Sequence, residues 1–225
     1  MDPIVTLIAA CTAFVGGHFA MSHPLREPMV RRLGEQGFQG VYSIIVLAAF
    51  VWMYFAFKAA PTATPFWSGF DDISWIIGSA LTLVAMMLLA GSFSGNPALP
   101  APGAGKAARA EPAGVFRVTR HPMMWSFALW AIAHIIASPT ARTLILASAI
   151  LILALIGSRM QDRKKQVLMG EDWAIWSSKT SYWPRWSQLF STGLLPWIVG
   201  IALWLGFSWL HQPMGGWDAG VWRWL

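Results

Sequence analysis

Charge is what this sequence has least of. Only 12% of the 225 residues are Asp, Glu, Lys or Arg, about half the share in an average soluble domain. Cysteine is nearly absent: Cys11 stands alone, which excludes an internal disulfide and any multi-cysteine metal site. The long apolar runs hold no acidic or basic residue in their interiors. That argues against a proton or ion transporter, whose relays need such groups inside the membrane. The opening MDPIVTLIAA lacks the basic stretch of a signal peptide, so the first apolar run is expected to be retained. No fixed-period repeat is visible. PGAGKA (Pro102 to Ala107) has a superficial likeness to a phosphate loop, but no strand precedes it and no Ser or Thr follows Lys106.

What is abundant is apolar surface, at 56% of residues, with a mean hydropathy of +0.52. A membrane-spanning helix needs roughly 20 mostly apolar residues. Ile4 to Ala20, Phe38 to Phe57, Ile73 to Phe93, Leu144 to Ile156 with its flanks, and Leu194 to Leu210 qualify; Pro122 to Ala137 is shorter and is counted as a further span. Ser138-Pro139-Thr140 then joins two spans as a tight hairpin. The net charge of +6 would suggest nucleic acid in a soluble protein. Here the basic residues fall between spans, so the lipid bilayer is the expected partner and nucleic acid is not. All of them except Lys58, Arg142 and Arg223 lie on one side. By the positive-inside rule that side is cytoplasmic and both termini are periplasmic. The 15 tryptophans, many near span ends, suit an interfacial belt. Asn96 to Gly114, rich in Pro, Ala and Gly, is expected to be an irregular linker, and Ser158 to Trp186 a helix lying along the cytoplasmic interface. The fold class is therefore all-α: a single domain, 1–225, forming a polytopic transmembrane bundle of about six spans with one interfacial helix.

The polar chemistry left to such a chain is histidine. In RVTRHPMMWSFALW (Arg117 to Trp130), Pro122 suits the first turn of a helix and puts His121 at the cap. His18 ends the first span on the same side of the membrane, and His23 follows it in the loop. His134 lies about 20 Å further along the span from His121, at about 1.5 Å per residue, and His211 closes the last span, also on the far side. Two histidines at one depth on different helices suit a shared metal. Haem iron fits His18 and His121 better than zinc, with no cysteine or carboxylate cluster nearby. Gly16 and Gly17 would let a flat macrocycle approach, and Arg117 and Arg120 suit its propionates. The plainer alternative is interfacial histidines, topology-anchoring arginines and a helix cap. Cys11 and the methionines Met86, Met87, Met123 and Met124 are expected to be packing residues.

Three stretches carry a family resemblance: GGHFAMSHPLREPM with GFQGVYSIIVL (Gly16 to Met29, Gly37 to Leu47), GVFRVTRHPMMWSFALWAIAHI (Gly114 to Ile135), and LMGEDWAIWSSKTSYWP (Leu168 to Pro184). They resemble the NnrU family of bacterial membrane proteins and, more distantly, the 15-cis-zeta-carotene isomerase of plants and cyanobacteria. The resemblance implies an inner-membrane protein. From the isomerase branch it implies haem b on two histidines, corresponding to His18 and His121. The cysteine used there for ligand switching has no counterpart; Val118 and Thr119 precede the motif. The NnrU branch implies a link to nitrite and nitric oxide metabolism. The same Arg-His-Pro element also resembles integral-membrane methyltransferases of the isoprenylcysteine and phospholipid type, where it helps hold S-adenosylmethionine together with a Glu-Glu pair. Gln161-Asp162 stand at those two positions, and Trp173 and Trp176 at the aromatic ones.

Three expectations follow. The protein is a haem-dependent isomerase or nitric-oxide-related redox enzyme acting on an apolar polyene or nitric oxide. Alternatively, it is an S-adenosylmethionine-dependent transferase. As a third class, it is a non-catalytic sensor or assembly factor. Glu171 and Asp172 are expected to tie the interfacial helix over the site or to cap it.

Overall fold

A computed structural model describes residues 1–99 and 103–225. Asp2 opens α1 (Pro3–Ser22) by accepting from the amides of Ile4 and Val5, with Pro3 in the first turn where its missing N–H costs nothing. α2 (Arg26–Ala59) is broken at Gly34, whose φ of +70° is the left-handed conformation glycine adopts without a Cβ clash. The break separates a charged first segment from the apolar remainder. α3 (Asp72–Gly91) is capped by Asp71, which accepts from the Ser74 amide and hydroxyl. After the short α4 (Ala104–Arg109) comes α5 (Pro122–Ala137), starting at Pro122 as its sequence requires. The tight turn then leads into α6 (Ala141–Met169), α7 (Glu171–Lys179), α8 (Leu194–Trp209) and α9 (His211–Gly215).

Five helical stretches are long and apolar enough to cross a membrane: α1, α2, α3, α6, and α8 continued through α9 as Leu194–Gly215. α5 is apolar but shorter, at 16 residues, about 24 Å at 1.5 Å per residue. No strand occurs among the described residues.

The helices pack in the order α2, α1, α6, α5, α3, α8, so α6 sits between two hydrophobic clusters. One joins Leu7, Ala10, Cys11 and Phe14 of α1 to Met53 and Ala56 of α2 and Ala149 of α6. The other joins Met87 and Leu88 of α3, Trp125 and Leu129 of α5, Ala154 of α6, and Trp173 and Trp176 of α7. Cys11 and Met87 are thus core residues, as expected. At Gly200 a Cβ would lie 2.6 Å from the Met87 Cα, so glycine permits the close approach of α8 to α3. Large apolar side chains such as Leu47, Phe55, Ile73 and Leu194 point outward, as helices in contact with lipid require.

Two expectations need correction. Ser158 to Trp186 is not a single interfacial helix: its first part extends α6 to Met169, and only Glu171–Lys179 is a separate short helix. Several polar side chains of the extension find protein partners. Lys165 Nζ donates to the Pro97 carbonyl at 3.2 Å and Gln161 Nε2 to that of Ala98 at 3.5 Å. Nor is Asn96 to Gly114 wholly irregular. Ala98 and Ala108 are buried, and α4 docks on α7 through an ion pair of Arg109 with Asp172, with Glu171 at 3.9 Å. Residues 100–102 of that stretch lie outside the described residues.

Candidate functional site

A single 3-10 turn, Gly114–Arg117, precedes α5 and takes up the amides of Val118 and Thr119 through the Val115 carbonyl; beyond it the backbone pairs with another segment. The Arg120 amide donates to Ser181 O and the Arg185 amide to Val118 O, both at 2.8 Å. Thr119 Oγ1 donates to Tyr182 O (2.9 Å), as does Trp125 Nε1 (2.9 Å). This two-sided zipper holds the Arg-Val-Thr-Arg-His-Pro motif against residues 181–185 at the basic end of the bundle.

His121 occupies the cap position of α5, but its side chain caps nothing. Its Nε2 faces Asp162 Oδ1 at 2.8 Å, on the polar extension of α6. Arg120 clamps the same carboxylate, with Nε 3.0 Å from Oδ1 and Nη2 2.7 Å from Oδ2. With Nε2 against a carboxylate, Nε2 carries the proton. Nδ1 is then left buried and without a partner. Tyr182 forms the wall of the cluster. Its ring is 5.7 Å from that of His121 and lies under the guanidinia of Arg120 (5.7 Å) and Arg159 (5.3 Å). Its hydroxyl donates to the Leu155 carbonyl at 2.8 Å.

Two spaces adjoin this cluster. One, about 30 Å³, is lined by His121, Met123, Met124, Asn96 and Gln161 among others, and is of a size to hold a single water. The other is an open groove of about 400 Å³ lined by Arg120, Asp162, Arg163, Gln166, Trp173 and Ser177. That volume is in the range of small-molecule sites.

The residues singled out in the sequence divide accordingly. His121 and Arg120 are in the cluster. Arg117 is not: its Nη1 donates to the Ser191 carbonyl at 3.0 Å and it lines neither space. His18 lines neither space. It sits on α1, with Nδ1 donating to the Phe14 carbonyl at 2.8 Å and its ring against Phe14 and Tyr42. Its neighbour Phe19 and Met124 of α5 both reach Gly157 of α6, each within 4 Å of where a Cβ on that glycine would stand. His23 follows α1, where burial and the nearby Lys164 charge hold its imidazole below the ordinary value. At the opposite end of α5, the rings of His134 and His211 lie 6.1 Å apart and nearly parallel.

For the haem that the resemblance implies, the nitrogens are suitable and the room is not. Each of His18 and His121 has one ring nitrogen held by an oxygen, the usual support of a ligating imidazole. The space at His121, however, is water-sized, and Phe19 and Met124 crowd Gly157 between the two helices that carry the histidines. Asp162 and Tyr182 are the cluster members the sequence did not single out. The signal for Asp162 was its place at the second carboxylate position of the methyltransferase-like pattern; for Tyr182 there was none.

Neither the curated proteins nor the solved structures give a match to this chain. The family model described as NnrU protein matches residues 6–219 of the 225, and the chain belongs to the NnrU family.

Proposed function

We propose that the groove beside Arg120, Asp162 and Trp173 is a cofactor site open to the cytoplasm of a bacterial inner-membrane protein, and that it serves transfer of a methyl group from S-adenosylmethionine to an apolar, membrane-borne acceptor. One observation carries this reading: the motif arginine, the retained carboxylate and the first aromatic of the methyltransferase-like pattern line one groove of about 400 Å³. The cytoplasmic orientation rests on the basic residues gathered at that end.

S-adenosylmethionine supplies an electrophilic methyl group on a sulfonium. The chain's part is recognition and orientation. Asp162 offers a negative charge to a cationic sulfur, the exposed Arg163 offers a partner to a carboxylate, and the buried Trp173 backs the groove. Arg120 and His121 hold Asp162 in one orientation, so they act as positioning residues. Equilibrium binding of radiolabelled S-adenosylmethionine to the detergent-purified protein tests this. Saturable binding that Asp162→Ala and Arg163→Ala each weaken at least tenfold is expected. No binding at millimolar cofactor overturns it.

A second reading retains haem b on His18 and His121, favoured by the buried, partnerless Nδ1 of His121 and the oxygen-held Nδ1 of His18. It brings with it the isomerase and nitric-oxide roles, and it requires α1 and α5 to separate at Gly157. An absorption spectrum of protein from haem-supplemented cells decides it. A Soret band lost in both His18→Ala and His121→Ala supports haem, and a colourless protein removes it.

A further inference from the structure

Two histidines on different helices do meet in this molecule, at the end of the bundle away from the Arg-His-Pro motif. His134 is in the last turn of α5 and His211 begins α9. Each ring donates Nδ1–H to the carbonyl one turn back on its own helix, His134 to Trp130 and His211 to Phe207, both at 2.8 Å. That bond settles the tautomer in each ring. Nε2 is left with its lone pair directed away from the helix backbone, and backbone support of this kind is typical of ligating histidines.

The spacing of the rings is informative. Two metal–nitrogen bonds of about 2.0 Å separate the nitrogens by about 4 Å, and the ring centres lie roughly an ångström further back on each side. With both Nε2 atoms turned to one ion the expected separation is therefore about 6 Å, and the ring centroids lie 6.1 Å apart. The surroundings select the ion. Asp72, which begins α3, and Asp218, which follows α9, are engaged elsewhere, with Arg223 and Gln212 respectively. Among the described residues, no group of three or more His, Cys, Asp or Glu could hold a metal. Hard cations and tetrahedral zinc therefore find too few donors. A soft d¹⁰ monovalent ion accepts two imidazoles, and a thioether strengthens its preference. Met214, one turn along α9 from His211, carries a thioether and is largely exposed at 62%. The Trp130 ring packs 4.0 Å from that of His134 and holds the imidazole in place.

We propose that His134 and His211 form a two-imidazole site for a soft monovalent metal ion of the copper(I) class, with Met214 as an auxiliary donor. This site is independent of the groove at the other end, and its test leaves that proposal untouched.

The test is anaerobic titration of the full-length detergent-purified protein with copper(I), in competition with a chromogenic copper(I) chelator, and with silver(I) as a second probe. One equivalent should bind. His211→Ala should weaken binding at least tenfold, and Met214→Leu by a smaller factor. X-ray absorption should report two nitrogen neighbours in the wild type, and copper(I) should raise the melting temperature of the wild type but not of His211→Ala. Because His134 is packed within the bundle, His134→Phe serves only where its melting curve matches the metal-free wild type. His211, at the helix end, carries the test without it. Binding unchanged in His211→Ala, or no binding by the wild type, overturns the proposal.

Discussion

Asp162 is the residue on which the basic end of the bundle depends most, and its removal has a calculable consequence. The carboxylate accepts from Arg120 through two guanidinium nitrogens and from His121 through Nε2. The side chains of Arg120 and Asp162 are 15% and 20% exposed, and that of His121 is 1% exposed. Truncation by Asp162→Ala leaves a cation and an imidazole N–H in a largely dry site. Breaking a fully buried pair in this way costs about 3–5 kcal/mol. The residual exposure of Arg120 and Asp162 lets water return, so about 2–3 kcal/mol is the better figure here. For a chain of this size each kcal/mol moves Tm by about 2–4 °C, giving a fall of roughly 4–12 °C. Thermal melting in one detergent, followed by tryptophan fluorescence, measures it. The double variant Arg120→Leu/Asp162→Leu should recover part of the loss, because the guanidinium charge is then no longer left unpaired and only the His121 N–H remains so. A single variant melting within a degree of the wild type, or a double variant whose loss is the plain sum of the singles, would refute the reasoning.

Tyr182→Phe removes the hydroxyl that bonds the Leu155 carbonyl and Ser158; a loss of about 1–2 kcal/mol is expected from denaturant unfolding, and a neutral result would contradict that bonding. Gly200→Leu inserts a side chain where even a Cβ would meet the Met87 backbone at 2.6 Å. It should destabilise by about 1–3 kcal/mol or more by prising α8 from α3, and unchanged stability in the same assay would mean the helices do not meet there. The His23 imidazole is held below its ordinary value, so the unfolded chain binds the extra proton first on acidification. Its contribution is complete above the unfolded value of about 6.5 and is lost as pH falls through the folded value. Tm should therefore decline below about pH 6.5, less steeply in His23→Gln, and identical slopes would exclude the effect.

Hydropathy foresaw the apolar helices because a bilayer-spanning segment must satisfy its backbone internally and present apolar side chains around it. It misjudged the region after Ile156 for a physical reason. A run of charges looks interfacial when only water is considered as its partner. Here Gln161, Asp162 and Lys165 meet the carbonyls of Ala98 and Pro97 and the side chains of Arg120 and His121, so the helix continues. The linker was misjudged likewise, because Pro, Ala and Gly composition says nothing of a docking surface such as α7.

Composition and periodicity by themselves determined that this is an all-helical chain suited to a bilayer, that α5 begins at Pro122, and that the basic residues collect at one end. They also gave each histidine an expected depth, because depth follows from hydropathy and helical rise. Which side chains meet at a given depth was decided only by the tertiary structure. The lateral order of the helices, with α6 between α1 and α5, comes from the packing of small residues and from the one or two contacts that glycine permits. That order turned His121 to Asp162 and brought His134 beside His211.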